Sequence, residues 1–184
     1  MLEGLKIIEP KIYGDERGFF YEFFNLKTLK EIGIEEEFLQ GNHSKSSKGV
    51  LRGLHFQYKN SQGKLIRVLR GKILDVVVDL RKNSDTFGKY YKIELTEENR
   101  KQIYIPRGFA HGFLTLEDNT EIEYLCTDYY NPSYEGGIRW NDKDLNIDWE
   151  FEKYQISESN LIISSKDLKQ QSLKEFLNKG WEIE

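Results

Sequence analysis

An all-β sandwich or barrel is the fold class this chain predicts, and three observations carry it. Between Val50 and about Tyr130, apolar and polar residues alternate in short runs at regular spacing, the pattern of half-buried strands. Aromatics are abundant, with 11 Phe, 11 Tyr and 3 Trp, and such side chains favour pleated surfaces. Only three prolines are present, so few positions lose a ladder donor.

The elements follow in chain order. Gly14-Asp15-Glu16-Arg17-Gly18 is a turn, and the aromatic run Phe19 to Phe24 predicts a strand after it. Asn25 caps a short helix with Leu26, Leu29 and Ile32 on one face, stopped at Gly33. Lys64 to Leu69 is a strand that leads through Arg70-Gly71 into a second, Ile73 to Leu80, and this spacing predicts a tight hairpin. Tyr90 to Leu95, Gln102 to Ile105, Gly112 to Leu116 and Thr120 to Thr127 complete the series. Near the end, Leu173, Phe176 and Leu177 have helical spacing and Gly180 stands as a stop. That helix is expected to pack outside the barrel or against a second subunit. No repeat or linker divides the chain, so one domain over 1–184 is expected, with the barrel over about 1–150 and an extension over about 151–184.

Composition narrows the function. Apolar residues make up 38% and glycines number 15, which argues against disorder. A net charge of −4 argues against nucleic acid as the main partner, while a small anionic ligand needs only a few placed Arg and Lys. Cys126 is the lone cysteine, so neither an internal disulfide nor a cysteine-rich zinc site is expected. No apolar run approaches the roughly 20 residues of a membrane span. MLEGLKIIEP carries charges where a secretory signal keeps an apolar stretch, so a reducing cytoplasm is the expected location.

Three segments carry chemistry. In Gly49 to Gln57, Arg52 and His55 stand three apart around Gly53, and strand alternation points them to opposite faces unless Gly53 bends the chain. A core histidine beside a surface arginine accounts for this segment equally well. In Ile105 to Phe113, a Pro-x-Gly turn delivers His111 to the mouth of the next strand, although a turn with an incidental histidine is the commoner case. In Glu121 to Pro132, alternation puts Ile122, Tyr124 and Cys126 on the interior face, where the Tyr124 phenol needs a partner. A buried structural tyrosine explains that position as well as a catalytic one. Tyr129 and Tyr130 end the strand at the barrel mouth.

Pro106, Gly108 and His111 match the PxGxxH pattern, which resembles the second motif of the cupin superfamily and implies a jelly-roll barrel. The first cupin motif usually supplies an HxH pair of metal ligands. Here that place reads His55-Phe56-Gln57, a poor ligand set, so a metal-free barrel is expected. Further segments make the resemblance specific. GDERGFF at 14–20, QGNHSKS at 40–46, LRGLHFQ at 51–57, GKL at 63–65, DLRKNSDTFG at 79–88, IPRGFAHGF at 105–113, WND at 140–142 and SSKD at 164–167 occur in order. Together they resemble the dTDP-4-dehydrorhamnose 3,5-epimerases over essentially the whole chain.

The resemblance implies an all-β, cupin-type jelly roll with a short N-terminal helix and a C-terminal helical extension. It also implies a homodimer that acts on a dTDP-sugar with neither metal nor cofactor, on the route to dTDP-L-rhamnose. By it, His55 is the general base, Asp167 its paired carboxylate, Tyr124 the proton donor and Lys64 the cation beside the enolate oxygen. Arg17, Glu22, Gln40, Asn42, Arg52, Lys64, His111, Glu135 and Lys166 match substrate-binding positions, and Tyr130 matches an aromatic that stacks on thymine. One departure stands out: the family commonly reads QDN where this chain has Gln40-Gly41-Asn42, which removes a carboxylate from a substrate-binding segment.

Such a reaction needs these residue types. Inverting C3 and C5 of a 4-keto sugar breaks carbon–hydrogen bonds beside a carbonyl. That requires a base, a cation for the developing enolate and an acid on the opposite face. Imidazole has an ordinary pKa near neutrality, and a carboxylate partner fixes its tautomer. Arg17, Arg52 and Lys166 suit the diphosphate. A single-site epimerase, a 3,4-ketoisomerase and a non-catalytic cupin that binds sugar nucleotides remain as alternatives.

Overall fold

Alternation along the strands resolves into two five-stranded antiparallel sheets packed face to face, in a computed structural model that describes residues 2–183. In chain order the elements are β1 (Lys6–Ile8), β2 (Tyr13–Asp15), β3 (Gly18–Phe20), α1 (Leu26–Glu31), β4 (Gln40–Ser46), β5 (Leu51–Gln57) and β6 (Lys64–Arg70). There follow β7 (Lys72–Asp79), β8 (Tyr90–Thr96), β9 (Gln102–Ile105), β10 (Phe109–Thr115), β11 (Thr120–Cys126), β12 (Glu135–Gly137) and α2 (Leu173–Asn178). The first sheet runs β1-β9-β6-β11-β4 and the second β12-β5-β10-β7-β8, while β2 and β3 form a separate hairpin. This is the jelly roll that the motifs imply.

Two large apolar layers hold it, with a smaller cluster of Leu29, Ile34, Leu65 and Tyr104 beneath α1. Ile66, Val68 and Ile122 of the first sheet meet Ile73, Val77, Phe109 and Phe113 of the second across the interior. Leu54, Phe56, Leu74, Val76, Val78 and Leu114 point the other way and are covered by Trp149, Leu173 and Phe176 from the C-terminal segment. The second sheet is therefore buried on both faces. That explains why β7 reads as an almost unbroken apolar run where one-sided burial would alternate. Each fully buried Leu, Ile or Phe contributes about 1.5–3 kcal/mol.

The two short helices form where expected, although in α1 only Leu29 is buried and Ile32, past the helix end, is exposed. The Asn25 side chain accepts from the Lys27 and Thr28 backbone N–H groups and caps α1. At α2, Ser172 and Glu175 form a capping box. Leu173 and Phe176 are buried on the outside of the second sheet, but Leu177 is exposed, so the expected apolar face is narrower by one residue.

Three sequence expectations need correction. The tight hairpin is absent, because β6 pairs with β9 and β11 while β7 pairs with β8 and β10. Gly71 turns the chain from one sheet to the other, so β6 and β7 pack across the interior through Ile66, Val68, Ile73 and Val77. Burying two apolar faces against each other prevails over edge pairing. Phe19 to Phe24 is a strand only as far as Phe20. Beyond it, the segment crosses the first sheet with Gln102 Nε2 donating to the Phe23 carbonyl at 2.9 Å and the Arg67 guanidinium 3.6 Å from the Phe23 ring centre. Side chains, not a ladder, satisfy it there. Finally, the strand expected from Gly112 begins at Phe109 and so includes His111.

Candidate active site

Position 53 decides which way β5 presents its polar residues. His55 pairs with His111, but Arg52 pairs with Phe113, so β5 holds one extra residue there, a bulge at Gly53. Gly53 has φ +122, and a Cβ on it would lie 2.5 Å from Gly112 Cα, which makes glycine obligatory. The bulge resets the alternation. Leu51, Leu54 and Phe56 join the outer apolar layer, and Arg52, His55 and Gln57 are left for the opposite side.

His55, Lys64 and Tyr124 line one pocket of about 290 Å³, together with Gln40, Asn42, Phe56, Gln57, Gln62, Tyr130 and Glu135. Five strands and two loops supply these groups: β4, β5, β6, β11 and β12, with Gln62 from the loop between β5 and β6 and Tyr130 from the segment after β11. Gln40 and Asn42 alternate inward on β4, which leaves Gly41 pointing outward, its missing Cβ position 3.4 Å from Leu125 Cδ2. A carboxylate at 41 would therefore stand outside the pocket, and its loss here removes no pocket contact.

Behind the pocket, His55 Nε2 meets Asp167 Oδ1 at 2.6 Å. Asp167 is buried and further held by the Gly53 backbone N–H at 3.2 Å, while its own N–H donates to Ser164 Oγ at 3.1 Å. Burial opposes ionisation of Asp167. Its bond to His55 and the His55 charge, aided by Gly53 and Ser164, prevail and hold its carboxyl below the usual range. An ionised Asp167 only accepts, so in the neutral imidazole Nε2 carries the proton and Nδ1 keeps its lone pair.

The neighbours set complementary charges. Burial lowers the Lys64 pKa, with Cys126, Asp75 and Glu135 pulling it back up. Burial raises the Tyr124 phenol, with Cys126 adding to this and Arg52 opposing. The Tyr124 hydroxyl meets no hydrogen-bond partner among the described residues and is left to the pocket. At the rim, the Tyr130 hydroxyl donates to Glu135 Oε2 at 2.7 Å, and Lys166 Nζ lies 2.5 Å from the same oxygen. Burial resists ionisation of Glu135, but these two partners lower its pKa overall.

The remaining sequence-derived positions lie elsewhere. Arg52 donates to Ser46 Oγ at 3.3 Å, beside the pocket lining. His111 is buried and bonded to Asp75 Oδ2 at 2.8 Å, on the strand next to His55, and burial lowers its pKa. Arg17 pairs with Asp15 on the exposed β2–β3 hairpin, and Glu22 lines a separate groove with Pro10, Phe20 and Phe24. Neither reaches the pocket of its own chain. Gln57 and Gln62 line the pocket without having been singled out as site residues, although Gln57 closes the LRGLHFQ motif.

Among the described residues, no group of three or more His, Cys, Asp or Glu is arranged to hold a metal ion, and no helix is long and apolar enough to cross a membrane.

The family model for dTDP-4-dehydrorhamnose 3,5-epimerase matches residues 1–175. The chain belongs to this family. A dTDP-4-dehydrorhamnose 3,5-epimerase of Methanothermobacter thermautotrophicus is 52% identical over 174 residues, covering 95% of this chain and 92% of the relative. The crystal structure of the Legionella pneumophila epimerase in complex with dTDP-4-keto-L-rhamnose has a TM-score of 0.90 and 47% identity, covering 97% of this chain and 92% of that one. A 3'-monoepimerase from Streptomyces bikiniensis, in complex with dTDP-quinovose, has a TM-score of 0.89 and 30% identity over 98% of this chain and 89% of its own. The backbone is thus common to epimerases that differ in the centres they invert.

Proposed function

We propose that the chain epimerises C3 and C5 of dTDP-4-dehydro-6-deoxy-D-glucose, giving dTDP-4-dehydro-L-rhamnose, and that it serves surface polysaccharide biosynthesis. The observation that carries this is the convergence of His55, Lys64 and Tyr124 on one pocket, with Asp167 bonded behind the imidazole. His55 Nδ1 takes the proton from the carbon beside the ketone. Asp167 stabilises the imidazolium that forms, and its bond at Nε2 keeps the ring in the basic tautomer. Lys64 places positive charge where the C4 oxyanion develops, a contribution of about 3–4 kcal/mol for a well-aimed donor. Tyr124, kept protonated by its raised pKa, returns a proton to the opposite face and so sets the inverted configuration.

Tyr130 stacks on the thymine, with Gln40, Asn42, Glu135 and Lys166 around the sugar and diphosphate, Arg52 beside them, and buried His111 backing the site from the strand next to His55. A firmly held nucleotide lets one base meet C3 and then C5, because remote binding energy is used for positioning.

Arg17 and Glu22 serve the pocket of a second copy in a homodimer. What supports this is the hairpin that carries Arg17: Tyr13, Phe19 and Phe20 are 54%, 60% and 70% exposed there, an apolar patch suited to a subunit interface. A reducing cytoplasm suits the free Cys126 thiol.

Incubation with dTDP-4-keto-6-deoxyglucose in heavy water, followed by NMR, tests the activity. Deuterium at both C3 and C5 of an inverted sugar is expected. Label at one carbon would instead assign a single-centre epimerase, and no label would leave a non-catalytic binder.

A further inference from the structure

Gln57 lies two residues from His55 on β5 with 4% of its surface exposed, and the proton chemistry leaves it unused. Its side chain sits where two loops meet, one over 58–63 between β5 and β6, the other over 127–134 after β11. Nε2 donates to the Asn60 carbonyl at 2.8 Å and to the Tyr129 carbonyl at 3.3 Å. Oε1 accepts from the Asn131 backbone N–H at 2.6 Å. An amide offers two hydrogens and a carbonyl, and here all are engaged with backbone. Tyr129 and Asn131 flank Tyr130, so both chain neighbours of that aromatic are held from one side chain. Other bonds join the same loops lower down: Gln62 Nε2 to the Asp128 carbonyl at 2.7 Å and the Gly63 N–H to Thr127 Oγ1 at 2.8 Å. None of those reaches 129–131.

We propose that Gln57 is a positioning residue that fixes Tyr130 relative to His55, and so sets where a bound nucleotide presents its sugar to the base. The amide is specific to this task. A carboxylate would offer no donor to two carbonyls and would add charge opposite Glu135, its partner across β5 and β12. An apolar side chain would leave two carbonyls and one N–H without their partner. The inference rests on Tyr130 stacking on the nucleotide base, and the experiment separates the two claims.

Calorimetric affinity for dTDP is measured for the wild type, Gln57→Met, Tyr130→Ala and the double variant, with kcat and KM for each. Gln57→Met is expected to weaken dTDP binding about tenfold and to raise KM by more than it lowers kcat. Because Gln57 acts through Tyr130, the double variant should bind dTDP within about twofold of Tyr130→Ala alone. A side chain needed only for folding would lower the melting temperature without this coupling. Wild-type affinity in Gln57→Met beside a weakened Tyr130→Ala overturns the proposal alone, as do losses that multiply in the double variant. Wild-type affinity in Tyr130→Ala removes the stacking role and the proposal with it. Should Gln57→Met fail to fold, the neutral Gln57→Asn, whose amide is one methylene too short to hold all three backbone partners, enters the same cycle with the same criteria.

Discussion

Gly53 and Gly112 pass backbone against backbone: a Cβ on Gly112 would lie 2.7 Å from the Arg52 carbonyl oxygen, and one on Gly53 2.8 Å from that of His111. This contact creates the bulge that turns Arg52 and His55 to the same side of β5. Gly53→Ala must therefore move a strand or abandon the bulge. A loss of more than about 2 kcal/mol is expected, read as a large fall in melting temperature together with lost activity. An unchanged melting temperature would show that the two strands separate easily and that the glycine does not set the alternation.

The His55–Asp167 dyad is expected to control exchange without controlling binding. His55→Ala should lower solvent deuterium incorporation by about 10²–10⁴-fold while dTDP affinity stays within a few-fold of wild type. Asp167→Asn should lower the rate in the same direction through the tautomer. Normal exchange in His55→Ala would remove the base assignment.

Tyr124→Phe separates exchange from inversion. With base and Lys64 intact, deuterium should still enter from the His55 side, but the sugar should keep its original configuration. An inverted product at the normal rate would show that the proton comes from another group.

Asp79 gives a pH-dependent prediction independent of catalysis. It is fully buried, which raises its pKa, but hydrogen bonds from Arg81, Ser84 and Thr86 outweigh burial and lower it to about 2. Its folded-state pKa lies below the unfolded value, so the stabilisation is present above about pH 4 and is lost as pH falls through the folded-state value. Asp79→Asn should cost about 2 kcal/mol at neutral pH, with the gap closing toward about pH 2 in acid melts. A gap that stays constant across that range would mean the charge contributes nothing.

Phe20→Asp tests the assembly. A carboxylate in the exposed aromatic hairpin should convert a dimer to a monomer in light scattering and lower activity, because Arg17 and Glu22 would then reach no pocket. A dimer that persists would place the interface elsewhere.

The legible and illegible parts of the fold divide on what local pattern encodes. Alternation identified β11 and put Tyr124 with Ile122 on the inner face, because one side of that strand meets the core. It could not assign partners, and the β6–β7 junction looked like a hairpin although the chain changes sheets at Gly71. β4 carries QGNHSKS, too polar to register as a strand, since its inward residues face the pocket rather than the core. The dyad was reached only through the SSKD and LRGLHFQ motifs, because no spacing rule joins residues separated by 112 positions. Arg17 and Glu22 show the opposite case, positions matched by the resemblance that a single chain leaves outside the pocket.

His55 lies in the first third of the chain and its carboxylate partner Asp167 in the last tenth. During synthesis, every strand of both sheets leaves the ribosome before Asp167 does. A nascent or clipped chain ending at Gly137 would lack both Asp167 and the Trp149, Leu173 and Phe176 side chains that cover the second sheet. Delivery of the C-terminal segment therefore completes the cover of the second sheet and the proposed dyad in the same step.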